Sequence, residues 1–320
     1  MNLTLKRFGF PVLRSYCEVQ FFEESRIDAK QYARRLSAEM LRIDQKYSRF
    51  RRDSLTTEIN FSAGNELGIK LDKETRDLLE KAAHYHALSD GLYDITAGIL
   101  WRVWDFDKPR IPSQKDIDAL LPRIGFDRLS WRGARLLLPA RMEIDLTALI
   151  KRYAVDAAAR LARDAGVRSG LINLGGDFAV IGPQPSGDAW PVGIADPGNP
   201  QAVVAKMALT RGGLASSGDY NKLVEREGEQ YRCVLNPRTG WPGSGLQAVS
   251  VIADACLEAG AMADIAMLKE TDAARAWLAD SGLAYVYRQT DGEIAGPGLM
   301  QSEPAQATES SEETNTPESL

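Results

Sequence analysis

The segment Asp145-Leu-Thr-Ala-Leu-Ile-Lys151-Arg-Tyr153-Ala-Val-Asp156 sets an acid before a turn and a lysine in the first turns of a helix. Free backbone N–H groups and the positive end of the dipole at a helix start suit a phosphate, and Lys151 adds a charge aimed at the same anion. The same residues read equally well as a capped amphipathic helix with a solvated lysine. Asn173-Leu-Gly175-Gly176-Asp177 follows an apolar strand. Its glycines permit positive φ and close approach of backbone to a ligand, or simply a turn. Ser216-Ser217-Gly218-Asp219-Tyr220 offers hydroxyls and a carboxylate to a phosphate or ribose, and is equally a polar turn. Leu235-Asn236-Pro237-Arg238-Thr239-Gly240 is a turn with a nearby cation. In Glu258-Ala-Gly260-Ala-Met-Ala-Asp264, positions 260 and 264 share one helix face, so Asp264 is a carboxylate on a helix rich in Ala, Met and Ile.

Elements of both kinds must hold these groups in place. A strand is expected at 16–22, and a helix at 28–47 with its stripe Tyr32, Leu36, Met40, Ile43 and Tyr47. Further helices are expected at 75–89, 113–122, 150–165, 258–269 and 273–281. Arg135–Leu138, Met142–Leu146, Gly170–Leu174 and Tyr285–Arg288 read as strands, and more strands recur up to about residue 252. The interleaving has no regular βαβ period, which predicts an α+β class with mixed or antiparallel sheets and packed helices. Residues 1–300 read as one domain. Residues 301–320, rich in Glu, Ser, Thr and Pro, read as a disordered acidic tail.

The chain of 320 residues carries 44% hydrophobic and 26% charged residues and a net charge of −5. That acidity argues against sequence-independent nucleic-acid binding. No apolar run is long enough to span a membrane. Lys6 and Arg7 are followed by no apolar stretch, so a cytoplasmic location is expected. Cys17, Cys233 and Cys256 have no paired spacing and read as reduced thiols. With only His84 and His86 present, a hydrolase of the Ser-His-Asp or Cys-His kind has little to work with.

Taken in order, these segments resemble the flavin transferase (ApbE-type) family, FAD:protein FMN transferase. Ser48-Arg-Phe-Arg-Arg-Asp-Ser-Leu-Thr-Thr-Glu-Ile-Asn60 is similar to an early family stretch. Ser89-Asp-Gly-Leu-Tyr-Asp94-Ile-Thr96-Ala-Gly-Ile-Leu, followed by Trp104 and Phe106, is similar to a second. The likeness runs from about residue 10 to 297. It implies FAD as donor, held in a cleft between two lobes, with Asp94, Thr96, Asp145 and Lys151 lining the site and Asn173, Gly175, Gly176 and Asp177 forming a nearby turn. It implies Mg²⁺ on the FAD diphosphate, bound by the Ala148 carbonyl and by a helix Asp and Thr. It also implies a Thr or Ser hydroxyl of a partner protein, a subunit of a redox complex, that attacks the FMN phosphorus as AMP leaves.

This chain departs from that pattern at several points. The helix Asp aligns with Gly260 and the Thr with Asp264, which moves the carboxylate by one turn, roughly 6 Å. A family His aligns with Cys233, an Asp with Asn236, and two glycines with Thr147 and Arg152. Three functions therefore stand: a transferase with a rearranged site, in which Asp264 holds the metal or activates the acceptor hydroxyl; a flavin-binding relative acting as carrier, sensor or partner; and, least favoured because Asp145, Lys151 and Asp177 would go unexplained, a scaffold that binds no flavin.

Overall fold

The computed structural model describes residues 3–108, 110–218, 223–226, 229–300 and 317–320. The chain opens with the hairpin β1 (Thr4–Val12) and β2 (Ser15–Glu23), then α1 (Arg26–Tyr47) and α2 (Leu55–Phe61). The short strand β3 (Ile69–Lys70), α3 (Lys73–Leu88), a 3₁₀ segment (Ile95–Arg102), α4 (Gln114–Asp118), β4 (Ser130–Arg132) and β5 (Arg135–Leu137) lead to α5 (Thr147–Asp164). Next come β6 (Gly170–Leu174), β7 (Asp177–Gly182), β8 (Trp190–Asp196), β9 (Asn199–Leu209), β10 (Gly213–Gly218), β11 (Leu223–Arg226), β12 (Glu229–Arg232) and β13 (Ala248–Ala253). The chain closes with α6 (Cys256–Met267), α7 (Thr271–Asp280), β14 (Ala284–Arg288), β15 (Ile294–Ala295) and β16 (Glu318–Ser319).

One nine-stranded sheet, in the order β15-β14-β13-β10-β7-β6-β2-β1-β16, organises the molecule. Its pairs are antiparallel except β1 with β16. The period-two alternation of strands sorts its side chains into two cores. Ile172, Ala179, Ile181, Ala215 and Tyr287 face the helical core, where Leu36 and Met40 of α1, Ala158 of α5 and Ala263 of α6 are buried. Their neighbours Leu171, Val180, Leu214 and Val286 face the opposite way, onto Trp190, Val192 and Met207 of the β8–β9 hairpin. The α+β expectation therefore holds, with helices on one face and a two-stranded ribbon on the other. A separate aromatic cluster joins Trp104 and Phe106 to Leu120 and Val224, with Tyr231 and Trp241 against it.

Most expected elements form within a few residues of the expected bounds. Met142–Leu146 does not: it is a buried extended segment, not a strand. A side chain stands in for the missing neighbour strand. Asn60 Oδ1 accepts from the Ile144 N–H at 2.7 Å and its Nδ2 donates to the Ile144 carbonyl at 3.0 Å. Of the tail expected to be disordered, residues 301–316 lie outside the described residues. Glu318 and Ser319 pair with Phe8 and Gly9, and Glu318 is held by Arg26 and Lys30.

Candidate functional site

The site is built on the β6–β7 hairpin. Leu174 pairs with Asp177, leaving Gly175 and Gly176 as a two-residue turn with φ of +54° and +88°. Two successive positive φ values are what a tight hairpin of this length needs, and glycine adopts them without strain. Asn173 Oδ1 fastens the turn by accepting the Gly176 N–H at 3.0 Å. A Cβ on Gly175 would lie 2.1 Å from Ser15 Oγ, so the backbone there is closely confined.

Two consecutive cations of α5 converge on this turn. Lys151 Nζ donates to the Gly175 carbonyl at 3.1 Å and lies 3.0 Å from Asp177 Oδ2. Arg152 Nε lies 3.7 Å from Asp177 Oδ1. The two terminal nitrogens of Arg152 donate to the two oxygens of Asp264 at 2.5 and 3.0 Å. Arg152 is 7% exposed and Asp177 3%. Burial alone would push the Arg152 guanidinium down. The Asp264 and Asp177 carboxylates more than offset this and hold it above its usual range. The side chain lies across α6 at Gly260, where a Cβ would meet its Cδ and Nε at 2.0 Å. A second contact ties the same helices: Asp156 accepts the N–H groups of Cys256 at 2.8 Å and Leu257 at 2.9 Å, the first residues of α6.

The remaining expected residues brace the chain at 95–98, 125–126 and the start of α5. Asp145 Oδ1 accepts from Thr147 N–H at 2.9 Å and Oγ1 at 2.6 Å, and its Oδ2 accepts from Arg49 at 2.5 Å. Arg49 also donates to the Gly98 carbonyl at 3.0 Å and lies 3.4 Å from Glu143. Asp94 Oδ1 accepts from Thr96 N–H at 2.7 Å and Oγ1 at 2.6 Å, and its Oδ2 accepts from Phe126 N–H at 3.0 Å. Thr96 is fully buried and its Oγ1 accepts from Gly125 N–H at 2.8 Å. Asp94 and Thr96 thus start the 3₁₀ segment and pin it to residues 125–126. Ala148 lies exposed in the first turn of α5. Gly213 and Leu214 pair with Ala179 and Phe178, so Ser217, farther along β10, lies at the glycine-turn end of β7. Asp219 and Tyr220 of that motif lie outside the described residues.

Sequence reasoning missed Arg49 and Tyr93. Burial raises the Tyr93 phenol, and the charge of Asp264 raises it further, so this ring borders the same cluster. Both residues fall inside the family-like stretches, which was the available signal.

A model of the ApbE family matches residues 13–287. The chain belongs to the ApbE family. Over 282 residues it is 29% identical to the FAD:protein FMN transferase of Salmonella typhimurium, covering 83% of this chain and 80% of that one. Over 273 residues it is also 29% identical to the enzyme of the same name from Escherichia coli K12, covering 81% and 77%. The ApbE protein of Thermotoga maritima superposes with a TM-score of 0.84 at 26% identity, covering 92% of this chain and 97% of that one. The apo flavinyl transferase ApbE of Pseudomonas stutzeri gives 0.81 at 26%, covering 92% and 95%.

Within this ApbE-family chain, Arg152, Gly260 and Asp264, the positions expected to depart from the family pattern, form one contiguous unit. The expected Mg²⁺ ligation by Asp264 and the Ala148 carbonyl is a poor fit to it. Mg²⁺ demands a near-octahedral set of oxygens at about 2.0–2.1 Å. Both Asp264 oxygens are instead held by a guanidinium, and Gly260 has no side chain to supply an oxygen. No group of three or more His, Cys, Asp or Glu is arranged around a common point among the described residues. Cys233 packs partly buried in the aromatic cluster, and Asn236 Oδ1 accepts the Arg238 N–H at 2.9 Å within its own turn. No helix of the described residues is long and apolar enough to cross a membrane.

Proposed function

We propose that this chain binds FAD and transfers its FMN half to a Thr or Ser hydroxyl of a target protein, with release of AMP. The observation that carries this reading is the convergence of Lys151 and Arg152 on the Gly175–Gly176 turn. Lys151 at the exposed Gly175 carbonyl, together with the Arg152 donors not engaged by Asp264, suits a diphosphate. The 29% identity to proteins named FAD:protein FMN transferase supports the reaction. In the step itself, the acceptor oxygen bonds to the FMN phosphorus and the bond to the bridging oxygen breaks. AMP leaves with that oxygen. Asp264 takes the hydroxyl proton, because a carboxylate keeps lone pairs beyond the two engaged by Arg152. Lys151 neutralises charge developing on the phosphoryl oxygens. Asn173, Gly176 and Asp177 keep the turn and its cations in place. Ser217 offers a hydroxyl from the neighbouring strand, while Asp94, Thr96 and Asp145 shape the wall by bracing residues 95–98 and 125–126. The acceptor is a subunit of a redox complex, met in the cytoplasm.

A second reading is favoured by one observation: both oxygens of Asp264 are already hydrogen-bonded by Arg152. On that reading the chain holds flavin without transferring it. Incubation with FAD and an acceptor bearing a Thr or Ser flavinylation motif separates the two. AMP release by chromatography, with a fluorescent acceptor band on a gel, is expected, and Asp264→Asn should lower its rate by about 10²–10⁴ while FAD binding persists. FAD binding with neither product establishes the second reading.

A further inference from the structure

Arg152 is placed as a fixed part of the site. Its stem lies against Gly260, where any Cβ would come within 2.0 Å of Cδ and Nε and 2.4 Å of Cζ. One turn along the same face, Asp264 receives both terminal nitrogens. Nε faces Asp177, whose other oxygen is 3.0 Å from Lys151 Nζ. The guanidinium thus sits between two acids, with Lys151 beside it at the glycine turn. Only two of its five N–H donors have hydrogen-bond partners among the described residues, both on Asp264. A planar fork with spare donors matches phosphate oxygens. The Gly260 and Arg152 departures from the family pattern explain one another: the absence of a side chain at 260 is the room that Arg152 occupies. A divalent ion at this place would have to evict the guanidinium from both carboxylates.

We propose that Arg152, seated on Gly260 and clamped by Asp264, is the resident cation for the flavin diphosphate, in place of a divalent metal. The proposal rests on the FAD reading and refines it: nucleotide binding is independent of Mg²⁺, and the cationic donors that meet the diphosphate come from the chain itself.

The test is a fluorescence titration of the purified full chain with FAD, in EDTA and in excess Mg²⁺, with riboflavin as a ligand lacking phosphate. The expected result is FAD affinity equal in both within about twofold. A second arm uses Arg152→Met with Asp264→Leu, which removes both charges at similar volume and so avoids a lone buried charge. That variant should lose about tenfold or more in FAD affinity while riboflavin affinity stays unchanged. Tightening by Mg²⁺ of about tenfold or more in the native chain overturns the proposal and leaves the FAD reading intact. Unchanged FAD affinity in the folded double variant also overturns it. Absence of FAD binding in either buffer overturns the FAD reading, and the proposal with it.

Discussion

Replacing Gly260 with alanine adds one methyl group, and the structure says where it goes. The new Cβ would stand 2.0 Å from Cδ and Nε of Arg152, well inside contact distance. The arginine can swing away only by releasing Asp264, which it holds at 2.5 and 3.0 Å. Breaking a buried pair costs about 3–5 kcal/mol. Alanine in place of glycine within a helix returns about 1 kcal/mol. A net loss of about 2–4 kcal/mol is expected, a large share of the roughly 5–15 kcal/mol that holds a domain together. Urea unfolding followed by circular dichroism reads it as a lower midpoint. The decisive comparison is a double-mutant cycle with Arg152→Ala. In that background the methyl group meets no guanidinium, and Gly260→Ala should stabilise by up to about 1 kcal/mol. The sign of one substitution therefore reverses with the residue at 152. If Gly260→Ala stabilises the native chain as much as the Arg152→Ala chain, Arg152 is not seated on Gly260 and is not held there as a resident cation.

Two further outcomes follow from other contacts. Burial would push the Glu74 carboxyl up, but Arg42 and Lys46 outweigh it and bring it down to about 2 from 4.5. A depressed folded-state value stabilises above the unfolded value, so this contribution is full above about pH 4.5 and fades as pH falls toward 2. Glu74→Gln should flatten the fall of the urea midpoint across that window, and an unchanged slope would remove Glu74 from the account. At the hairpin turn, Gly175→Ala meets both positive φ and Ser15 Oγ at 2.1 Å, whereas Gly176→Ala meets positive φ with nothing nearby. The first should cost more than the roughly 1–2 kcal/mol of a left-handed alanine, the second about that amount. Ser15→Ala should narrow the gap between the two in thermal unfolding.

What the sequence made legible follows from how local each signal is. The stripe of α1 and the amphipathic α5 depend on spacing within one element, and they form as expected. The Gly175–Gly176 turn is likewise a local demand of the backbone. Met142–Leu146 differs from the expected strand because its long-range hydrogen bonds go to the Asn60 side chain and the Ile95 carbonyl, distant in the chain, and an apolar run does not disclose its partner. Arg152 was legible as extra charge near a phosphate and Gly260 as a lost ligand. That the two compensate one another is a fact about packing between α5 and α6, invisible until the helices are set side by side. Arg49 escaped notice for the same reason: its role lies in reaching Asp145 and Gly98.

Asp156 and Arg152 stand one turn apart on α5, yet they grip α6 at its first residues and at Asp264, about 12 Å along its axis. One attachment is a pivot; two make a strut. With both in place α6 can neither slide along α5 nor swivel about a single contact, so the carboxylate of Asp264 keeps a fixed bearing toward the glycine turn. Little reorganisation is then left to be charged against an arriving nucleotide, and the strut gives way at both ends only when the helices themselves part.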